Sequence, residues 1–88
     1  MEFIYKTEGT CSKQIILQID ENTDTIIDVH FIGGCVGNTL GISSLVRNMH
    51  IDDVIHKLEG IQCGLKPTSC PDQLSQALKT YKITHTNL

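Results

Sequence analysis

The residues best able to do chemistry in this 88-residue chain are its four cysteines, Cys11, Cys35, Cys63 and Cys70. In the thiolate form a cysteine binds soft and borderline metals, exchanges disulfides or attacks an electrophile. The opening Met1-Glu2-Phe3-Ile4-Tyr5-Lys6 has neither the basic end nor the apolar core of a signal peptide. The expected location is therefore the cytoplasm, where a reducing environment disfavours structural disulfides. Metal binding or redox use of the thiols is the leading question. No C-x-x-C pair occurs and zinc-ribbon spacing is absent, so the case rests on where the cysteines fall in the fold.

Other constellations carry less. Gly33-Gly34-Cys35-Val36-Gly37-Asn38 has the look of a phosphate-cradling loop, but it lacks both the Lys-Ser/Thr end of a P-loop and the dinucleotide pattern. Its glycines are better read as letting backbone pack around a metal-bound Cys35. His30 and His56 fall on polar sides of their elements and are expected to be solvated. Asp52-Asp53 fits a helix start better than an acid–base pair. No Ser/His/Asp set is recognisable by spacing. Net charge is −3 with seven Lys and Arg, which gives no basic stripe for a phosphate backbone, so no nucleic-acid partner is expected. No apolar run approaches the roughly 18 residues of a membrane span, so no membrane partner is expected either.

The elements that must position the cysteines follow from hydrophobic period. Glu2 to Lys6 is a short strand, and Gln14 to Ile19 puts Ile15, Leu17 and Ile19 on one face. Thr25 to Ile32 puts Ile27, Val29 and Phe31 on one face, with Asp28 and His30 on the other. Short turns between these runs predict a three-stranded antiparallel meander. After Gly34 the period becomes helical: Ile42, Leu45, Val46 and Met49 mark a helix over 37–48, and Ile51, Val54, Ile55 and Leu58 one over 51–59. Gly60 stands where a left-handed residue ends a helix at low cost. Leu74, Ala77, Leu78 and Tyr81 mark a third helix, with Ser69 as N-cap, Pro71 in its first turn and Asp72 completing a weak capping box. Residues 82–88 read as a polar tail. The chain is 40% hydrophobic and 19% charged, ordinary for a globular protein, and makes one domain. The expected fold is α+β, a three-stranded antiparallel meander followed by three helices packed on one face of the sheet.

On this sketch each cysteine falls at the end of an element and none on an apolar stripe. Cys11 opens the second strand, Cys35 precedes the first helix, Cys63 lies in the loop before the third, and Cys70 starts that helix. The second and third strands form a hairpin, so Cys11 and Cys35 are expected at one edge of the sheet. Helix N-termini at Cys35 and Cys70 favour thiolate over thiol. Position alone leaves three readings open: a Cys₄ metal site, redox or persulfide chemistry on some of the thiols, and unrelated packing cysteines.

The string Thr68-Ser69-Cys70-Pro71-Asp72 spells the name of the TSCPD domain. Together with Phe31 to Asn38, Leu58 to Gly64 and the four-cysteine layout, it resembles the small, stand-alone four-cysteine branch of that family over about residues 3–80. The family's domain also occurs as an extension of adenosylcobalamin-dependent ribonucleoside-diphosphate reductases. The resemblance therefore implies an accessory link to ribonucleotide reductase or another redox protein, and so to DNA synthesis. Of the positional readings the Cys₄ site leads, with zinc (Zn²⁺) or an iron–sulfur (Fe–S) cluster held by Cys11, Cys35, Cys63 and Cys70. More distantly, the order of elements is similar to IscU/NifU-type iron–sulfur scaffolds, whose three cysteines correspond to Cys11, Cys35 and Cys70. This chain has Lys13 where the scaffold carries Asp and Ser69 where it carries His, and it adds Cys63. A fourth thiolate implies tighter metal retention than a scaffold that hands its cluster on. No catalysis is expected from these 88 residues alone, which cannot supply a radical-bearing barrel and a nucleotide site. The competing reading is a thiol or persulfide redox protein using Cys70.

Overall fold

The computed structural model describes residues 1–9, 12–33, 36–61 and 68–86. Three antiparallel strands, β1 (Glu2–Lys6), β2 (Ser12–Asp20) and β3 (Thr25–Gly33), precede three helices, α1 (Val36–Val46), α2 (Ile51–Leu58) and α3 (Cys70–Thr86). The sheet order is β1-β2-β3, the meander that short turns require. One face is apolar across all three strands, because the register aligns Phe3 with Leu17 and Val29, and Tyr5 with Ile15 and Phe31. The helices cover that face. Ile42 and Val46 of α1, Ile51, Val54 and Ile55 of α2, and Leu74, Ala77, Leu78 and Tyr81 of α3 join the strand residues in one core. Phe3 meets Tyr81 edge-on at 5.7 Å, a favoured aromatic geometry. No described helix is long and apolar enough to cross a membrane.

Two register shifts, one at each end of the β2–β3 ladder, change what alternation alone predicts. Between Gln18↔Asp28 and Ile19↔Ile26, β3 carries one extra residue. This bulge turns Ile26 into the core and leaves Ile27 51% exposed, so the expected inward placement of Ile27 is wrong. The second bulge lies between Ser12↔Gly33 and Gln14↔Ile32, with the extra residue on β2 at Lys13. It turns Ser12 inward beside the buried set Ile15, Leu17 and Ile19.

The first helix also differs from expectation. It ends at Val46, Met49 lies beyond it, and Leu45 is 77% exposed. The face buried against β3 is Thr39, Ile42, Ser43 and Val46, the same i, i+3, i+4, i+7 spacing shifted onto small hydroxyl residues. Asn48 follows with φ +69, a left-handed position that Asn tolerates. The segment behind it pairs with the start of β3: Ile26 N–H donates to Met49 O, and Asn48 N–H to Ile26 O. His50 caps α2 by accepting from Asp52 N–H at Nδ1, and Gly60 at φ +83 follows its C-cap. The third helix runs past Tyr81 through Thr86, so the tail expected from Lys82 onward starts as helix.

Candidate functional site

Polar side chains gather where β2 begins and α3 starts. The turn leaving β1 is closed by Thr7, whose N–H donates to Lys13 O and whose hydroxyl donates to Ser12 O at 2.6 Å. Gly9 has φ +75, and a Cβ there would come within 2.8 Å of the Thr68 methyl, so only glycine fits this approach. Glu8 N–H donates to Gln73 Oε1 at 3.0 Å, and Gln73 Nε2 donates to Thr68 Oγ1. The turn before Cys11 is therefore docked on the first turn of α3. Ser12, one residue after Cys11, pairs with Gly33, two residues before Cys35. The Ser12 hydroxyl lies 3.3 Å from Cys70 Sγ, with both residues buried.

The approach to α3 is tied down from the other side as well. Ser69 is the N-cap: its hydroxyl accepts from Asp72 N–H at 3.1 Å and donates to Ile61 O at 2.7 Å. The Asp72 carboxylate accepts from Gly60 N–H at 2.7 Å and from the Thr68 hydroxyl at 2.5 Å. Gly60 and Ile61 thus stand against Thr68, Ser69 and Asp72, and the two chain ends flanking residues 62–67 are held together. Burial pushes the Tyr5 phenol above its usual pKa, and the nearby carboxylates of Glu8 and Asp72 add to that. The ring's neutral hydroxyl therefore faces an acidic neighbourhood.

The family model for the TSCPD domain matches residues 3–82. The chain belongs to the TSCPD domain family. Comparison with curated proteins finds no match, and comparison with solved structures finds none. In this TSCPD domain the five residues Thr68 to Asp72 have distinct jobs. Thr68 packs on Gly9 and binds Asp72, Ser69 caps α3, Cys70 meets Ser12, Pro71 occupies the first turn, and Asp72 holds Gly60.

Of the four cysteines singled out by sequence, Cys70 lies among the described residues, whereas Cys11, Cys35 and Cys63 lie outside them. Among the described residues no group of three or more Cys, His, Asp or Glu could hold a metal ion. Cys70 corrects one expectation. With Leu74, Ala77, Leu78 and Tyr81 it falls at i, i+4, i+7, i+8 and i+11, so it does lie on the apolar stripe of α3 and belongs to the core. Sequence reasoning missed Ser12, because strict alternation from Ile15 points position 12 outward and only the Lys13 bulge reverses it. It also missed Gly9 and Gln73, whose contacts to Thr68 and Glu8 are distant in sequence, and it had Thr68 only as a motif residue without its contact to Gly9. His30 and His56 are exposed, as expected.

Proposed function

We propose that this TSCPD domain binds zinc or an iron–sulfur cluster through Cys11, Cys35, Cys63 and Cys70, and serves as an accessory module for a ribonucleoside-diphosphate reductase or another redox enzyme. The observation that carries the reading is the junction of Ser12, Gly33 and Cys70, joined from the other side by the Asp72–Gly60 and Ser69–Ile61 hydrogen bonds. Each cysteine is either at this junction or within two residues of a chain end fastened to it. A chain spans at most about 3.6 Å per residue, so two residues reach no further than about 7 Å. Four thiolates suit Zn²⁺ and Fe–S clusters alike. Zinc there would cross-link four chain segments of a small core, and a cluster would add electron transfer. The residues of this chain would supply sulfur ligands, and the Asp72 clamp would hold the segment carrying Cys63 in place.

A thiol or persulfide role for Cys70 is the second reading, favoured by its place in the first turn of α3 beside the Ser12 hydroxyl. At 6% exposure, however, the side chain offers little surface to an incoming electrophile. Serine substitution separates the two. If all four are ligands, Cys11→Ser, Cys35→Ser, Cys63→Ser and Cys70→Ser should each lower metal content and melting temperature by comparable amounts. A redox thiol predicts that Cys70→Ser alone abolishes sulfur uptake while the melting temperature stays near wild type. The accessory role is tested by recovering partners from the native cell with metal-loaded and metal-free domain. A redox or nucleotide-metabolism enzyme should be recovered, and more weakly once metal is removed. Equal recovery in both forms would contradict that part.

A further inference from the structure

We infer that Ser12 is a positioning residue for the metal site, donating its hydroxyl proton to the sulfur of Cys70; this rests on the Cys₄ reading above. Three observations point to it. The bulge at Lys13 breaks the alternation of β2 and brings Ser12, rather than Lys13, onto the inner side. Ser12 is 3% exposed and its Oγ stands 3.3 Å from Cys70 Sγ. Its backbone is fixed by the Thr7 hydroxyl on Ser12 O and the Thr7 N–H on Lys13 O, so the side chain starts from a fixed point.

Between a hydroxyl and a thiol either group can donate, but a metal-bound thiolate has lone pairs and no proton. Ligation therefore settles the direction of this hydrogen bond: Ser12 donates. A donor on a ligating sulfur withdraws charge from it, fixes its orientation and makes it a poorer nucleophile toward reagents other than the metal. Bulges concentrate beside functional sites because they re-aim one side chain without altering the rest of a strand. Here the re-aimed side chain is the one that reaches Cys70.

Cobalt(II) titration of the reduced full-length chain tests this, since sulfur-to-cobalt charge-transfer absorption reports the thiolate itself. Ser12→Ala should weaken cobalt binding about tenfold, the low end of what loss of an outer-shell partner costs. It should also shift the charge-transfer band to lower energy and speed alkylation of Cys70 in the loaded protein. Ser12→Thr, which keeps the hydroxyl, should retain the wild-type spectrum, and it carries the test should the alanine variant fail to fold. Wild-type affinity and spectrum in folded Ser12→Ala would overturn the inference while leaving the Cys₄ site intact. A shifted spectrum in Ser12→Thr would also overturn it, because volume rather than the hydroxyl would then matter. Failure of the wild-type chain to take up cobalt would instead overturn the Cys₄ reading, and this inference with it.

Discussion

The two ends of the sheet are built by different means. Where β3 begins, the chain is joined by backbone bonds: Ile26 with Asn48 and Met49, Asp24 with Ile51, and Met1 with Ile19. Apolar side chains, Ile19, Ile26, Ile51 and Val54, fill the space between. Where β3 ends, most joints among the described residues are made by side chains: Thr7, Ser12, Thr68, Ser69, Asp72 and Gln73, all but Thr68 buried to less than a tenth of full exposure. Apolar burial needs no specified partner, whereas each buried polar group must find one or destabilise the fold. An end with this many mutually satisfied polar groups holds one arrangement and resists drift. That is the property a metal-ligand set requires, and it falls on the end from which the cysteine-bearing segments leave.

The sharpest way to break this contrast is to remove one pillar from each end. Ile51→Ala opens a cavity at the apolar end and should cost about 3 kcal/mol in denaturant unfolding. Asp72→Ala strands Gly60 N–H and the Thr68 hydroxyl, two bonds to a charged group, and should also cost about 3 kcal/mol. The two variants should differ in everything else. Asp72→Ala should raise hydrogen exchange at the Gly60 amide ahead of global unfolding and reduce metal retained per folded molecule. Ile51→Ala should do neither. Matching exchange and metal content in the two would mean that the polar end has no special role.

A smaller effect is expected at the cap. Ser69→Ala loses the acceptor for Asp72 N–H and the donor to Ile61 O, and should cost about 1–2 kcal/mol, measured by thermal unfolding. Ser69→Asp keeps the capping acceptor and loses the donor to Ile61. It should recover the helix part of that stability but not protection of the chain near Ile61.

Much of the apolar end was legible in the sequence, and much of the polar end was not. Inner-face residues Ile15, Leu17, Ile19, Val29 and Phe31, the α2 stripe, and Leu74 to Tyr81 follow from period because burial of large side chains dominates there. Ile27 failed because a bulge is a tertiary choice that leaves no periodic mark. Leu45 failed because α1 packs on small hydroxyl residues, which a hydrophobic count ignores. In the site, Ser69 as cap was readable, since capping is local, but the expected capping box does not form: the Asp72 carboxylate takes the Gly60 N–H and the Thr68 hydroxyl instead of the Ser69 N–H. Ser12 beside Cys70 was not, because those residues are 58 positions apart and meet only once the bulge and the helix are both in place.

The smallest effect is expected at the surface, where neither end is at stake. Lys82 pairs with Asp52 across α2 and α3, with side chains 40% and 46% exposed. The Lys82 hydrogen bond holds the Asp52 carboxyl below its ordinary value of 3.8. A lowered folded-state pKa contributes stability above the unfolded value, and the contribution disappears as pH falls through the folded one. Lys82→Ala should therefore cost only about 0.5 kcal/mol at neutral pH, less at high salt, and nothing in strong acid. A larger loss that persists in acid would place Lys82 in the packing of α3 rather than in an ion pair.

The claim that four cysteines surround one site is tested most directly by X-ray absorption on protein purified anaerobically, with elemental analysis of the same sample. One equivalent of zinc with four sulfur neighbours at about 2.3 Å, or one iron–sulfur cluster with thiolate ligands, is the predicted result. Metal-free protein in which all four thiols react freely, or a metal ringed by nitrogen and oxygen, would contradict it.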